Sequence, residues 1–192
     1  MVHSAPNAVK RRPGVALLLL GMRTLGAFTY PRSEPGSGGH LDLVEKLNVF
    51  APALRDELGG VPAAALAQPP GAGEWSIKEA VGHLCDDARF FHQRLDMMIS
   101  LEEPRLDAYD EQEVASQRDA QGASISDLLH EFSAQRAATV ELLSELVHWN
   151  WSRTGRHEEQ GRISIRQLVD QTIAHDANHL EQIRTLKAAA PA

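Results

Sequence analysis

The sequence has a single cysteine, few aromatic residues and no long apolar run. Only Cys85 among the 192 residues carries a thiol, so a disulfide within the chain is impossible and a reducing compartment, the cytoplasm, is expected. Aromatic residues make up 5% of the chain, and strand-like runs rich in Val, Ile and Thr are scarce. The apolar run at residues 15–22 is too short to span a membrane. Disulfide scaffolds, β-rich folds and membrane-spanning proteins are therefore disfavoured.

Clusters of basic residues are also missing beyond residue 23, and the formal net charge is -7. A protein that binds a phosphate backbone needs grouped Lys and Arg, so no nucleic-acid partner is expected. The composition, 43% hydrophobic and 23% charged, is that of an ordinary globular domain. Ala, Leu, Glu, Gln and Arg dominate it, which favours helices.

The first 40 residues differ from the rest of the chain. The stretch KRRPGVALLLLGMRTLGA, residues 10–27, has a basic start and a short apolar run, as an export signal has. If translation starts at Met22, this signal-like feature disappears. Residues 30–39 are rich in Pro, Gly and Ser, as linkers are. We predict a disordered or signal-like tail and linker over 1–40, a folded domain over 41–187 and a C-terminal tail over 188–192, with export as the alternative to the cytoplasm.

Four segments of the domain have the apolar spacing of long helices. The first, 41–58, ends at two glycines, and Pro52 is expected to kink or divide it. The other three open on SIKE, SISD and SIRQ, in which Ser caps the helix and the acid or amide three residues on reaches back. Asp127 of the second of these is short for that role. The predicted helices are 41–58, 76–100, 124–148 and 164–187, and an all-α four-helix bundle is the natural packing.

The connections between these helices look irregular. Residues 101–123 contain YDEQEVASQRD, which is expected to form at most a short helix, and residues 150–162 read as a polar loop. No pair of strands is predicted. Trp75, Trp149 and Trp151 stand beside helix ends, where they would plug the bundle or rim a pocket.

Three histidines fall on inward faces of the predicted helices. At 100° per residue, His175 and His179 share the apolar arc of the last helix, four residues apart, and His83 lies in the apolar arc of the helix at 76–100. Gln182 falls on the His175 face, and Asp87 lies four residues after His83. The remaining histidines, His92, His130, His148 and His157, read as solvated, helix-end or loop residues.

The inward histidines admit two interpretations. Buried imidazoles need partners for their nitrogens, and one divalent cation would satisfy one nitrogen of each ring at once. Zinc, nickel, iron and copper all suit neutral imidazole. The alternative is that His175 and His179 are two hydrogen-bonded core histidines without a metal. Asp87 has three possible roles: a surface acid, a direct metal ligand or an acceptor that fixes an imidazole tautomer. Cys85 points to the opposite side of its helix from His83 and is expected to be a small structural hydrophobe.

A metalloprotease of the H-E-x-x-H type is disfavoured. The glutamate of that motif acts as the general base, and the corresponding position in HDANH is Asp176, which is shorter and faces sideways from the pair.

The stretches EWSIKEAVGHLCDDARFFHQRL and GRISIRQLVDQTIAHDANHLEQI resemble the DinB-like (YfiT-type) metalloenzyme superfamily. The resemblance covers about residues 41–187. It implies an up-down-down-up four-helix bundle, a divalent metal, zinc or nickel, held by His83, His175 and His179, and a homodimer. It also implies that some members use low-molecular-weight thiols as co-substrates.

Three functions follow as hypotheses. The first is a metal-dependent thiol S-transferase that acts on a small-molecule substrate in detoxification or stress response. The second is a metal-dependent hydrolase. The third is a non-catalytic bundle stabilised by a structural metal that serves as a stress or partner-binding module. A structural metal site would require a fourth protein ligand, and Asp87 is the best candidate for that ligand. Asp87 and Gln182 are the expected second-layer or pocket residues.

Overall fold

The structure is a computed structural model that describes residues 39–190. The predicted tail and linker, apart from residues 39 and 40, lie outside the described residues. The elements, in chain order, are α1 (His40–Leu58), α2 (Ala63–Ala67), α3 (Ile77–Ser100), β1 (Arg105–Leu106), α4 (Glu111–Gln117), α5 (Ile125–Ser144), a 3₁₀ helix (His148–Ser152), β2 (Thr154–His157), β3 (Gly161–Ser164) and α6 (Ile165–Ala189). Within residues 39–190, no helix is both long enough and apolar enough to cross a membrane.

The four long helices α1, α3, α5 and α6 form the predicted bundle. α1 and α3 each pack against both α5 and α6. The starts of α3 and α5 adjoin, because Gln121 donates to the Ser76 hydroxyl, and the ends of α1 and α6 adjoin, because Arg184 and Lys187 pair with Glu57. The pairs α1/α6 and α3/α5 are therefore each parallel, which confirms the up-down-down-up order.

Local chemistry explains where the helices begin. Ser76 and Ser164 each form the complete capping box that the sequence predicts, with Glu79 and Gln167 as the reciprocal partners. Ser124 accepts from the Asp127 amide, but the aspartate does not complete the box. α5 ends at Ser144, before the predicted 148, because the chain turns there into the 3₁₀ helix.

Pro52 does not divide α1, which is one helix from His40 to Leu58. Proline removes the backbone donor that would bond to the carbonyl of Asn48. Both residues face solvent, so water can satisfy that carbonyl. Of the kink or division expected from the sequence, the division was wrong.

A small sheet was missed by the sequence analysis. β2 and β3 form an antiparallel hairpin within the segment expected to be a loop, and β1 adds to β2 in parallel. The inward-facing residues of the hairpin are Gly155, His157 and Ile163, which give no apolar alternation in the sequence. A Cβ at position 155 would lie 2.7 Å from the Leu106 side chain, so glycine allows this close packing.

The apolar core has two parts with a polar layer between them. One part joins the end of α1 to the starts of α3 and α5, and the other joins the opposite ends of these helices to the start of α6. Between them, the buried residues of α5 and α6 are polar: Arg136, Thr139, Thr172 and Asp176. The predicted histidines lie at this level of the bundle.

Candidate metal site

The structure brings the three predicted histidines together. Nε2 of His175 lies 3.1 Å from Nε2 of His83 and 3.1 Å from Nε2 of His179. Within residues 39–190, they form a group able to offer one ligand atom each to a common ion. His83 is 2% exposed, and the other two rings are half-buried. The four-residue spacing on α6 and the antiparallel packing of α3 against it produce this convergence.

Gln182 fixes one of the three rings. Its amide oxygen lies 2.8 Å from Nδ1 of His179. Because an amide oxygen can only accept, we assign the proton to Nδ1, which leaves the lone pair of Nε2 directed at the other two imidazoles.

Asp87 faces a second ring from behind. Its Oδ2 lies 3.5 Å from Nδ1 of His175, on the side of the ring away from the convergence point. That nitrogen is buried and has no hydrogen-bond partner at ordinary distance. The other oxygen of Asp87 accepts from the Tyr109 hydroxyl at 2.9 Å. Of the three interpretations of Asp87, this geometry matches an acceptor that orients an imidazole.

The electrostatics favour free lone pairs over protons at His83 and His179. Burial lowers the pKa of His179 to about 3, with further lowering by His175 and His83. Burial also lowers the pKa of His83, and His175 adds to this effect. Burial would raise the pKa of Asp87, but His175 and the Tyr109 hydroxyl outweigh it, so its pKa lies below the usual value. Neutral imidazoles at His83 and His179 and an ionised Asp87 are protonation states that a metal site requires.

The donor spacing fits one divalent cation. Three nitrogens at the usual zinc–nitrogen distance of about 2.0–2.1 Å stand roughly 2.9–3.4 Å apart around one ion. The Nε2–Nε2 separations of 3.1 Å from His175 to His83 and to His179 fall inside that interval. Three imidazole donors leave coordination positions for water or substrate, as catalytic sites do.

A polar cavity of about 150 Å³ reaches His175 from the side of the hairpin. Its lining comes from α3, α6, β2, the β2–β3 turn, the segment before α4 and the first residue of α4. The lining residues are Asp87, Arg94, Ala108, Tyr109, Glu111, His157, Glu159, Gln160, Leu168, Gln171, Thr172 and His175. On the other side of α4, a second cavity of about 250 Å³ touches His83 and Trp75.

Sequence reasoning missed three residues of this site. Tyr109 and Glu111 lie in the long connection before α5, and His157, expected in a loop, is a buried strand residue. The signal that could have found Tyr109 is an isolated aromatic residue within a polar connection of an aromatic-poor chain.

The three tryptophans differ in their surroundings. Trp75 lines the second cavity, with its ring centroid 5.0 Å from that of His83. Trp151 is buried, whereas Trp149 is 70% exposed and so closes no end of the bundle within the described residues.

Asp176 does not point into the cluster, which agrees with its predicted sideways orientation. It is buried and pairs with Arg136 of α5 at 2.9 Å. Burial raises the pKa of Asp176 to about 6 against the opposing effect of Arg136. The pair fixes α6 to α5 directly behind His175.

Comparison with solved structures supports the bundle architecture. YfiT from Bacillus subtilis superposes with a TM-score of 0.75 and 20% identity, covering 82% of this chain and 91% of that chain. The description of that structure gives a metal-dependent hydrolase, assigned by inference, with an unusual four-helix-bundle topology. At this identity the likeness concerns the fold alone.

Two curated relatives come from Oceanobacillus iheyensis, and both carry the provisional name of metal-dependent hydrolase. One is 30% identical over 115 residues and the other 25% identical over 112 residues, or 60% and 58% of this chain. The matched regions span just under two thirds of the relatives' own lengths, 66% and 64%. The family model of the DinB superfamily matches residues 50–183, and the chain belongs to that superfamily.

Proposed function

We propose that the protein is a metal-dependent hydrolase of small molecules, whose divalent cation, zinc or nickel, is held by His83, His175 and His179. The observation that carries the proposal is the convergence of three Nε2 atoms beside a polar cavity. The names of the two Oceanobacillus relatives support hydrolysis as the reaction class. A bound divalent cation would polarise a carbonyl or phosphoryl oxygen and lower the pKa of water.

The chain's own residues prepare this site. Gln182 and Asp87 hold two imidazoles by their Nδ1 sides, so that the Nε2 lone pairs stay directed at one point. The cavity at His175 admits substrate to the cluster. A cavity of this size accepts the reacting part of a small molecule.

The other two hypotheses have less support. Transfer of a low-molecular-weight thiol onto a small-molecule substrate remains a prediction from the family resemblance, and the relatives' names do not mention it. A closed structural site would need a fourth protein ligand. Within residues 39–190, the ligand group contains three histidines, and Asp87 faces the wrong side of His175 to be the fourth.

An activity screen with metal-loaded full-length protein, made without a histidine tag, tests the proposal. The probes are p-nitrophenyl acetate, bis(p-nitrophenyl) phosphate and an N-acyl amino acid, each with and without glutathione or cysteine. We expect hydrolysis that needs the metal and not the thiol. Turnover that appears only with thiol would support S-transfer instead, and no turnover with any probe would count against both enzymatic functions.

A further inference from the structure

Glu111 is the exposed carboxylate of the site. Among the described residues, two carboxylates come within 4.0 Å of an imidazole nitrogen of the cluster. Asp87 approaches Nδ1 of His175 from behind, whereas Oε2 of Glu111 lies 4.0 Å from Nε2 of His83, the nitrogen that faces the other two rings. Glu111 thus stands on the side of the cluster where a ligand would bind.

The position of Glu111 excludes it from the three-histidine group but keeps it close. It is not part of the set of ligand atoms that lie within 4.8 Å of one another. Its side chain is 56% exposed and lines the cavity that reaches His175. A carboxylate at this separation can contact a water molecule or substrate atom held at the convergence point, without replacing an imidazole.

The start of the segment that carries Glu111 is fixed in place, although α4 buries no residue. Tyr109 stacks on Phe90 with ring centroids 4.1 Å apart and donates to Asp87. Asp110 caps α4 by accepting from the backbone N–H groups of Gln112 and Glu113 at 2.9 and 3.0 Å. Glu111 therefore begins its helix directly after an anchored turn.

The end of the segment is anchored as well. Arg118 pairs with Asp86 at 2.9 Å and with Glu131 at 2.8 Å. Gly82 of α3 makes room for this contact, since a Cβ there would lie 2.9 Å from the Arg118 side chain and 3.1 Å from Ala120. These anchors at both ends hold Glu111 near His83 before the reaction begins. Little conformational entropy is therefore lost when the transition state forms.

We propose that Glu111 is a catalytic residue that accepts the proton of the attacking water. This inference rests on the proposed hydrolase function. For an ester substrate, the water oxygen forms a bond to the carbonyl carbon while one water proton passes to Oε2 of Glu111. The bond to the leaving alcohol then breaks, and the alcohol oxygen takes that proton from the Glu111 carboxyl group. Atoms and charges balance, and Glu111 returns to its starting state.

Glu111→Gln removes the proton acceptor and keeps the shape of the side chain. Glu113→Gln is the matched control, since Glu113 is exposed on the same short helix and is not among the cavity-lining residues. In zinc-loaded full-length protein, we expect Glu111→Gln to lower kcat for p-nitrophenyl acetate by roughly 10²- to 10⁴-fold. Glu113→Gln should match the wild type, and Glu111→Asp should recover part of the rate.

Acetohydroxamate supplies a test that does not depend on turnover. It binds metals as its anion, so near neutral pH a nearby group that accepts the proton strengthens its binding. Losing that charge-assisted contact should weaken its binding to Glu111→Gln by roughly 10- to 100-fold, while zinc affinity stays unchanged. Unchanged hydroxamate binding would overturn the role of Glu111, and a large loss of zinc would make Glu111 a metal ligand and overturn it too. If hydroxamate binding weakens although the wild type hydrolyses none of the probes, the proposed hydrolase function fails and the catalytic role of Glu111 fails with it, while Glu111 stands as a proton acceptor for a bound ligand.

Discussion

The side-chain oxygen of Gln182 lies 2.8 Å from Nδ1 of His179, one turn along the same helix. This contact specifies which nitrogen of His179 keeps its lone pair. A metal site depends on such contacts as much as on its ligands, because a ring in the wrong tautomer presents an N–H group to the cation.

Gln182→Leu should therefore weaken metal binding without removing a ligand. We expect a loss of roughly 10- to 100-fold in zinc affinity, the range typical of residues that orient metal ligands. Competition with a chromophoric chelator measures this. Glu181→Gln, at an exposed position next to it, is the control and should bind zinc as the wild type does. Equal affinities for the two variants would show that the amide does not orient His179.

The buried pair of Arg136 and Asp176 supports the site from behind. Nε and Nη1 of Arg136 are buried without partners, so the pair is incompletely compensated. Arg136→Met alone leaves a buried carboxylate unpaired and should lower the free energy of unfolding by about 3–5 kcal/mol. The double change Arg136→Met/Asp176→Leu should recover most of that loss, since an apolar pair often replaces a buried ion pair at little cost.

Urea unfolding of the metal-free proteins measures both changes. The single variant Asp176→Leu leaves Arg136 buried without its ion-pair partner, and it is the matched comparison for Arg136→Met. If the losses of the two single variants simply added in the double variant, the two side chains would be energetically uncoupled and the account of this buried pair would be wrong.

Cys85 should be inert in the folded protein. It is fully buried, its thiol contacts the Leu128 carbonyl at 3.3 Å, and burial together with Glu131 raises its pKa to about 12. Because the thiolate is the reactive form, Ellman's reagent should label the native chain only as fast as the chain unfolds, and at once in denaturant. Rapid labelling of the native chain would contradict the predicted structural role of Cys85.

The periodic features of this fold could be predicted from the sequence, and the features built by distant contacts could not. The helical spacing of apolar residues and the three capping serines predicted the bundle, and the same spacing brought His83, His175 and His179 to inward faces. A pattern with period 3.6 reports directly on which side chains share a face.

The hairpin and the segment before α4 carry no such pattern. The inward residues of the hairpin include Gly155 and His157, so apolar alternation is lost. Glu111 reaches His83 only because Tyr109 and Arg118 contact residues of α3 and α5 that are distant in sequence. Contacts of this kind depend on how the helices pack, and the local sequence does not encode them.

Metal content is the most direct test of the three-histidine site. The full chain, produced without a histidine tag and loaded with zinc or nickel, is freed of loose metal and measured by plasma mass spectrometry. His179→Ala is compared with His130→Ala, whose histidine is exposed on α5. We predict about one ion per chain in the wild type and in His130→Ala, and almost none in His179→Ala. No retained metal in the wild type, or equal retention in both variants, would contradict the account.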